Sequence, residues 1–173
     1  VSGNMLRLSF SELESHVEHV AHCLYVNGLG KNDKIILQMP NVVETVLVYL
    51  AASRLGLIIS PVAMEYGHHE LKFIGDTIKP KAYIAFREFK NSEFGAVQGA
   101  IFDKSCKKLF FGIGGVFENK NEELNDYLKY KESIKVNAND IMTICWTSGT
   151  TGRSKGVPRS HNHWLSSTLA SED

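Results

Sequence analysis

Neither sign of charge prevails in this sequence: 19 lysines and arginines face 19 aspartates and glutamates. That balance removes the electrostatic argument for nucleic acid or an anionic membrane as partner. Cysteine is scarce as well. Cys23, Cys106 and Cys145 are odd in number, widely spaced and without a C-x-x-C pair, which argues against a disulfide framework and for free thiols in a reducing compartment. No apolar run is long enough to cross a bilayer. The opening residues VSGNMLRLSF have neither the cationic start nor the apolar centre of a secretion signal, so a soluble cytoplasmic protein is the expectation. Internal repeats and low-complexity tracts are missing too.

What is present is an alternation of helical and extended patterns. Hydrophobic residues make up 43% of the 173, enough for a substantial core and too many for wholesale disorder; the length favours one compact domain. Ser9 stands three residues before Glu12, a reciprocal helix cap. Leu13, Val17, Val20 and Leu24 then recur at helical spacing, and Asn27, Gly28 and Gly30 supply the stop. DKIILQMP reads as a buried strand. Asn41 and Glu44 predict the cap of a second helix, apolar around most of its girth and so covered on more than one side. LIISPV, KAYIAF, KKLFFGI and DIMTICWTS read as further strands. GHHELKFIGDTIK is a helix with Leu71, Ile74 and Ile78 inward, residues 90 to 105 are helical, and KNEELNDYLKY is a polar surface helix. KGVPRS reads as a short extended piece, and Ser160 caps a last helix over HNHWLSSTLASED. Strands separated by helix-length segments predict an open, mostly parallel α/β sheet with helices on both faces. Ligands in such sheets gather at the carboxyl ends of the strands.

The fifth strand runs directly into TSGTTGRSKG, residues 147 to 156. Three glycines let a backbone approach an anion closely. Thr147, Ser148, Thr150 and Thr151 add hydroxyl donors, while Arg153 and Lys155 add positive charge. This is the composition of a phosphate clamp. It is not a Walker A loop, because Lys155 precedes Gly156 and Val157 follows. Nor is it a nucleophile elbow, since Trp146 occupies the place of the first glycine of G-x-S-x-G around Ser148. The dinucleotide fingerprint fails as well.

The stretch TICWTSGTTGRSKGVPRSH strongly resembles the phosphate-binding signature of the adenylate-forming superfamily, [YF]TSGTTGxPKGVxxSH, shared by acyl-CoA synthetases, luciferases and peptide-synthetase adenylation domains. LSFSELESHVEHVAHCLYVNGLGKNDKIILQMPN and YLAASRLGLIISPVAMEYGHHELKFIGDTIKPKAYIAF resemble segments upstream of it, so the likeness covers essentially the whole chain. Two positions depart: Ser154 stands for the usual proline, and Trp146 for the usual tyrosine or phenylalanine, read as a packing change at the strand end. The resemblance implies that residues 1–173 are part of a larger N-terminal AMP-binding domain whose remainder, with a small C-terminal domain, lies outside this sequence. It implies an enzyme that activates a small carboxylic acid with ATP, releases pyrophosphate and passes the acyl group to coenzyme A. Thr147, Ser148, Gly149, Thr150, Thr151, Gly152, Lys155 and Gly156 would hold the β- and γ-phosphates, and Lys155 would neutralise the departing pyrophosphate. Mg2+ is implied, with its ligands mostly outside this sequence, and these 173 residues alone are expected to be inactive. GVPRSHNHW and PVAMEYGHHEL look more like CoA ligases of fatty, alicyclic or aromatic acids than like peptide-synthetase domains.

The alternatives are a non-catalytic nucleotide-binding or scaffold module, an adenylation domain serving another acceptor, and a phosphotransferase, which would release ADP instead of AMP. His16, His19 and His22 are read as solvated helix positions rather than zinc ligands, because no cysteine or acid completes a ligand spacing. His68 and His69 are read as an exposed turn, His161 as local support for the cap, and the three cysteines as inert.

Overall fold

A computed structural model of the chain describes residues 7–90, 92–112, 114–118, 125–147 and 154–170. Helix α1 (Phe10–Val26) begins at the expected box: the Ser9 hydroxyl accepts from the Glu12 amide at 3.3 Å and the Glu12 carboxylate from the Ser9 amide at 2.8 Å. It ends where Gly28 takes φ +77° and returns its amide to Tyr25, a left-handed conformation that glycine adopts without steric cost. β1 (Lys34–Gln38), α2 (Val43–Arg54), β2 (Ile58–Pro61), α3 (His68–Ile78) and β3 (Ala82–Phe86) follow. Then come α4 (Phe94–Gly99), β4 (Lys107–Phe111), α5 (Asn125–Ser133), β5 (Ile141–Thr147), β6 (Lys155–Ser160) and α6 (His161–Leu169).

The six strands lie in the order β4-β3-β1-β2-β5-β6, all pairs parallel except the last. Alternation along β1 divides the core. Ile35 and Leu37 face the apolar stripes of α1 and α2, with Tyr127 of α5 in the same cluster. Ile36 faces Leu71, Ile74 and Ile78 of α3, together with Tyr83 and Phe102. A sheet covered on both faces needs apolar residues at successive positions, which is why Ile35–Leu37 of β1 and the whole of β3 read as apolar runs.

Several local expectations change. The second helix is capped by Val42 without a side-chain bond, one residue past Asn41. Val42 already has an extended backbone there, and the Thr45 hydroxyl instead donates to the Pro40 carbonyl at 2.6 Å. Val46 and Leu50 of α2 are exposed, so among the described residues only the side toward α1 and the sheet is covered. Helix within 90–105 shrinks to α4, because a bridged turn joins Phe89 to Ser92 before it and Asp103 collects the Ser105 amide and hydroxyl after it. Of the polar surface helix, Lys120 to Leu124 lie outside the described residues; α5 itself buries Tyr127 completely.

Charge ties the helices of one face together. Glu18 of α1 pairs with Lys131 of α5 at 2.8 Å and with Arg54 of α2, which also holds Glu14 at 2.7 Å. Partial burial pushes the Glu18 carboxyl upward, but its bonds to Lys131 and Arg54 outweigh that and hold it below its ordinary 4.5. A depressed carboxylate contributes stability above its unfolded pKa and loses it as pH falls through the folded one. Urea midpoints should therefore show Glu18→Gln less stable than wild type at pH 7, with the gap closing below the ordinary value of 4.5. A gap that persists unchanged at pH 3 would remove the ion pairs as its cause.

Candidate functional site at the carboxyl edge of the sheet

β5 and β6 form an antiparallel hairpin in register from Ile141↔Ser160 to Thr147↔Lys155, with one irregularity between Ile141 and Thr143. The end of the hairpin that carries Thr147 and Lys155 lies at the carboxyl edge of the parallel strands, because β5 runs parallel to β2. Of the predicted phosphate-binding residues, Thr147, Lys155 and Gly156 are described; Ser148, Gly149, Thr150, Thr151 and Gly152 lie outside the described residues, as does Arg153. The hairpin thus brings Thr147 and Lys155 directly opposite one another, eight positions apart in sequence on either side of the loop they bound. The Thr147 hydroxyl reaches the Lys155 carbonyl at 3.5 Å. Both residues are exposed.

Successive side chains on a strand leave opposite faces. Ile144 and Trp146 pack against the α3 cluster, so Thr147 and Lys155 leave the other face. There, Thr143 accepts from the indole of Trp164 at 3.0 Å and the Arg159 guanidinium lies 5.4 Å from the Trp164 ring, which sets α6 against the hairpin. Ser160 caps α6 as expected, but the ring that answers it is His163, not His161: Ser160 accepts from the His163 amide, and the Ser160 amide donates to His163 Nδ1 at 3.1 Å. The spacing of a reciprocal cap requires the third helical residue, which is His163 and not His161.

A crevice of about 390 Å³ opens on the same edge, lined by Leu37, Met39, Tyr49, Pro61, Val62 and Met64 among others. It forms where the chain leaves β1 toward α2 on one face and leaves β2 toward α3 on the other, a switch point of the kind where open α/β sheets bind ligands. Burial, with Cys145 nearby, raises the Tyr49 phenol above its ordinary range, so it remains a neutral donor. A wider depression of about 680 Å³ lies at the amino edge, around Gly30, Lys31, Asp33 and Lys81. Its two cations are already spent, Lys31 on Asp140 at 2.8 Å and Lys81 on Asp33 at 2.7 Å.

The histidines and cysteines sort differently from expectation in one respect. His68 and His69 are exposed, as read. His22, by contrast, is buried against the Tyr127 ring at 5.2 Å, and His19 bonds the Phe117 carbonyl at 2.8 Å. Their burial depends on α5 and the 114–118 segment, about a hundred residues away, which local periodicity cannot report. Among the described residues no group of three or more His, Cys, Asp or Glu could hold a metal ion. Burial pushes the Cys23 and Cys106 thiols up to about 11, so neither is a nucleophile at neutral pH. Among the described residues no helix is long and apolar enough to cross a membrane.

A sequence model described as AMP-binding enzyme matches residues 2–172. The chain is 31% identical over 166 residues to 4-coumarate--CoA ligase-like 2 of Arabidopsis thaliana, covering 92% of this chain and 29% of that protein. It is 25% identical over 174 residues to long-chain-fatty-acid--CoA ligase FadD13 of Mycobacterium tuberculosis, covering 96% and 32%. The crystal structure of ATP-bound MatB from Rhodopseudomonas palustris matches with a TM-score of 0.70 at 27% identity, covering 94% of this chain and 31% of that one. The chain thus spans between 29% and 32% of the length of these relatives.

Proposed function

The chain belongs to the AMP-binding enzyme family, and on that premise we propose that it is the phosphate-gripping part of the N-terminal domain of an acid–CoA ligase. The observation that carries this reading is the hairpin that sets Thr147 and Lys155 face to face at the carboxyl edge of a parallel sheet. The relatives named as CoA ligases and the ATP-bound neighbour support it.

In the proposed reaction a carboxylate oxygen attacks the α-phosphorus of ATP. The bond to the bridging oxygen of the β-phosphate breaks, and pyrophosphate leaves with the electron pair. A thiol, that of coenzyme A, then attacks the acyl carbonyl and expels AMP. The first step brings an anion toward a polyanion, so charge compensation and positioning carry much of the acceleration. Thr147 to Gly152 would donate hydroxyl and backbone hydrogen bonds to the β- and γ-phosphates. Lys155, its backbone held in the β5–β6 ladder, would supply positive charge to the leaving pyrophosphate. Gly156 would let the strand stay close to that group. The described residues offer no group of three or more His, Cys, Asp or Glu for Mg2+.

ATP–pyrophosphate exchange by the complete protein, measured over a panel of fatty, alicyclic and aromatic acids, tests the reading. Acid-dependent exchange with AMP as the nucleotide product is expected, and no adenylate from the 173 residues alone. ADP as the product, or no exchange with any acid, would rule out the proposed ligase.

A further inference from the structure

We propose that Trp146 is the positioning residue of the phosphate loop, a role that rests on the functional reading above. Its indole anchors the root from which Thr147 and Lys155 face each other. The main-chain ladder between β2 and β5 is short, with one registered pair, Ile59 and Thr143. Beyond it a side-chain bond continues the attachment: the indole Nε1–H donates to the Ser60 hydroxyl at 2.8 Å. Ser60 is fully buried on β2, and the Phe73 ring of α3 meets the indole edge-on, 6.0 Å between centroids at 71°. The end of β5 is thus fixed to the sheet and to α3 immediately before the loop begins.

The returning strand is fixed by the same ring. Trp146 pairs across the hairpin with Gly156. A Cβ on Gly156 would lie 2.9 Å from Ile144 Cγ2 and 3.2 Å from the indole. One strand contributes a large ring and the other no side chain, so the two close against each other. Trp146 therefore adjoins Thr147 in sequence and Gly156, the neighbour of Lys155, across the hairpin. A rotation of the ring would move both ends of the loop together. Packing alone does not call for an N–H and a buried hydroxyl here. Such a pair costs desolvation that is recovered only when the bond is made, and the bond fixes an orientation that an apolar ring leaves free.

Trp146→Phe in the complete protein keeps a ring and deletes the donor; Ser60→Ala deletes the acceptor with minimal change of volume. In either variant amide hydrogen exchange at Thr147, Lys155 and Gly156 should accelerate roughly tenfold while β1 and β3 are unchanged. The kcat for ATP–pyrophosphate exchange should fall roughly tenfold at unchanged KM for the acid, and thiol transfer from a supplied acyl-adenylate should be unaffected. The double variant should lose no more than either single one. Unchanged root amides, or additive losses, overturn the anchor. Loosened root amides with unchanged kcat overturn the positioning role and leave the ring as packing. If the wild-type protein exchanges no pyrophosphate with any acid while the variants still loosen the root, the anchor stands and the ligase reading fails.

Discussion

Lys155→Ala in the complete protein is expected to slow ATP–pyrophosphate exchange by on the order of a hundredfold, the scale seen when one preorganised donor to a developing anion is removed. Transfer of the acyl group from a supplied adenylate to the thiol should be nearly unaffected. The asymmetry follows from where charge develops. Pyrophosphate leaves in the first half-reaction, and no new phosphate charge appears in the second. Lys155 is exposed on β6, so its loss should leave the thermal midpoint in place. That separates a chemical defect from a folding defect. Equal losses in both half-reactions would assign Lys155 to general substrate binding, and undiminished exchange would remove it from the site. Lys155→Arg tests whether charge alone suffices, since a planar guanidinium presents its donors differently from a compact ammonium.

The second large effect concerns a polar group set into the most apolar part of the sheet. Gln38 ends β1 fully buried. Its carbonyl oxygen accepts from the Tyr83 hydroxyl at 2.8 Å, and its amide donates to the Ala63 and Tyr66 carbonyls at 2.9 and 3.0 Å. One side chain thereby holds the segment between β2 and α3 against β1, beside the carboxyl-edge crevice. Burial raises the Tyr83 phenol far above its ordinary range, so it remains a neutral donor that needs a partner. Gln38→Leu should cost about 3 kcal/mol, because buried groups left unpaired lose about 1–3 kcal/mol each. The urea midpoint reads this loss. Gln38→Leu with Tyr83→Phe should recover part of it, since removing both partners is cheaper than orphaning one. A double variant no more stable than Gln38→Leu would show that the unpaired phenol is not the cause.

Much of the fold was legible because it depends on short-range periodicity. The box at Ser9 and Glu12, the stripe Val17–Val20–Leu24 and the inward Leu71, Ile74 and Ile78 of α3 all follow from 3.6-residue spacing and from unsatisfied amides at helix starts. Boundaries were less legible. Asn41 has the right chemistry for a cap, yet the chain turns one residue later. His16, His19 and His22 looked equivalent by spacing, but only His16 is exposed, because α5 and residues 114–118 cover the other two. At the site, residue types alone identified Thr147, Lys155 and Gly156 as phosphate-loop candidates. Trp146 read as a packing change, because a one-dimensional pattern does not show that Ser60, some 86 positions earlier, lies beside its N–H.

The sequence by itself determined the parallel α/β class, the strand that feeds the glycine-rich loop, and the family. Each of these rests on neighbours in the chain: apolar runs, helix-length spacers and a contiguous motif. Only the tertiary structure decided the strand order β4-β3-β1-β2-β5-β6, the antiparallel return of β6 that sets Lys155 opposite Thr147, and the bonds of Gln38 and Trp146. Those depend on which distant segments meet once two apolar faces of one sheet must be buried, and burial has no direction along the chain.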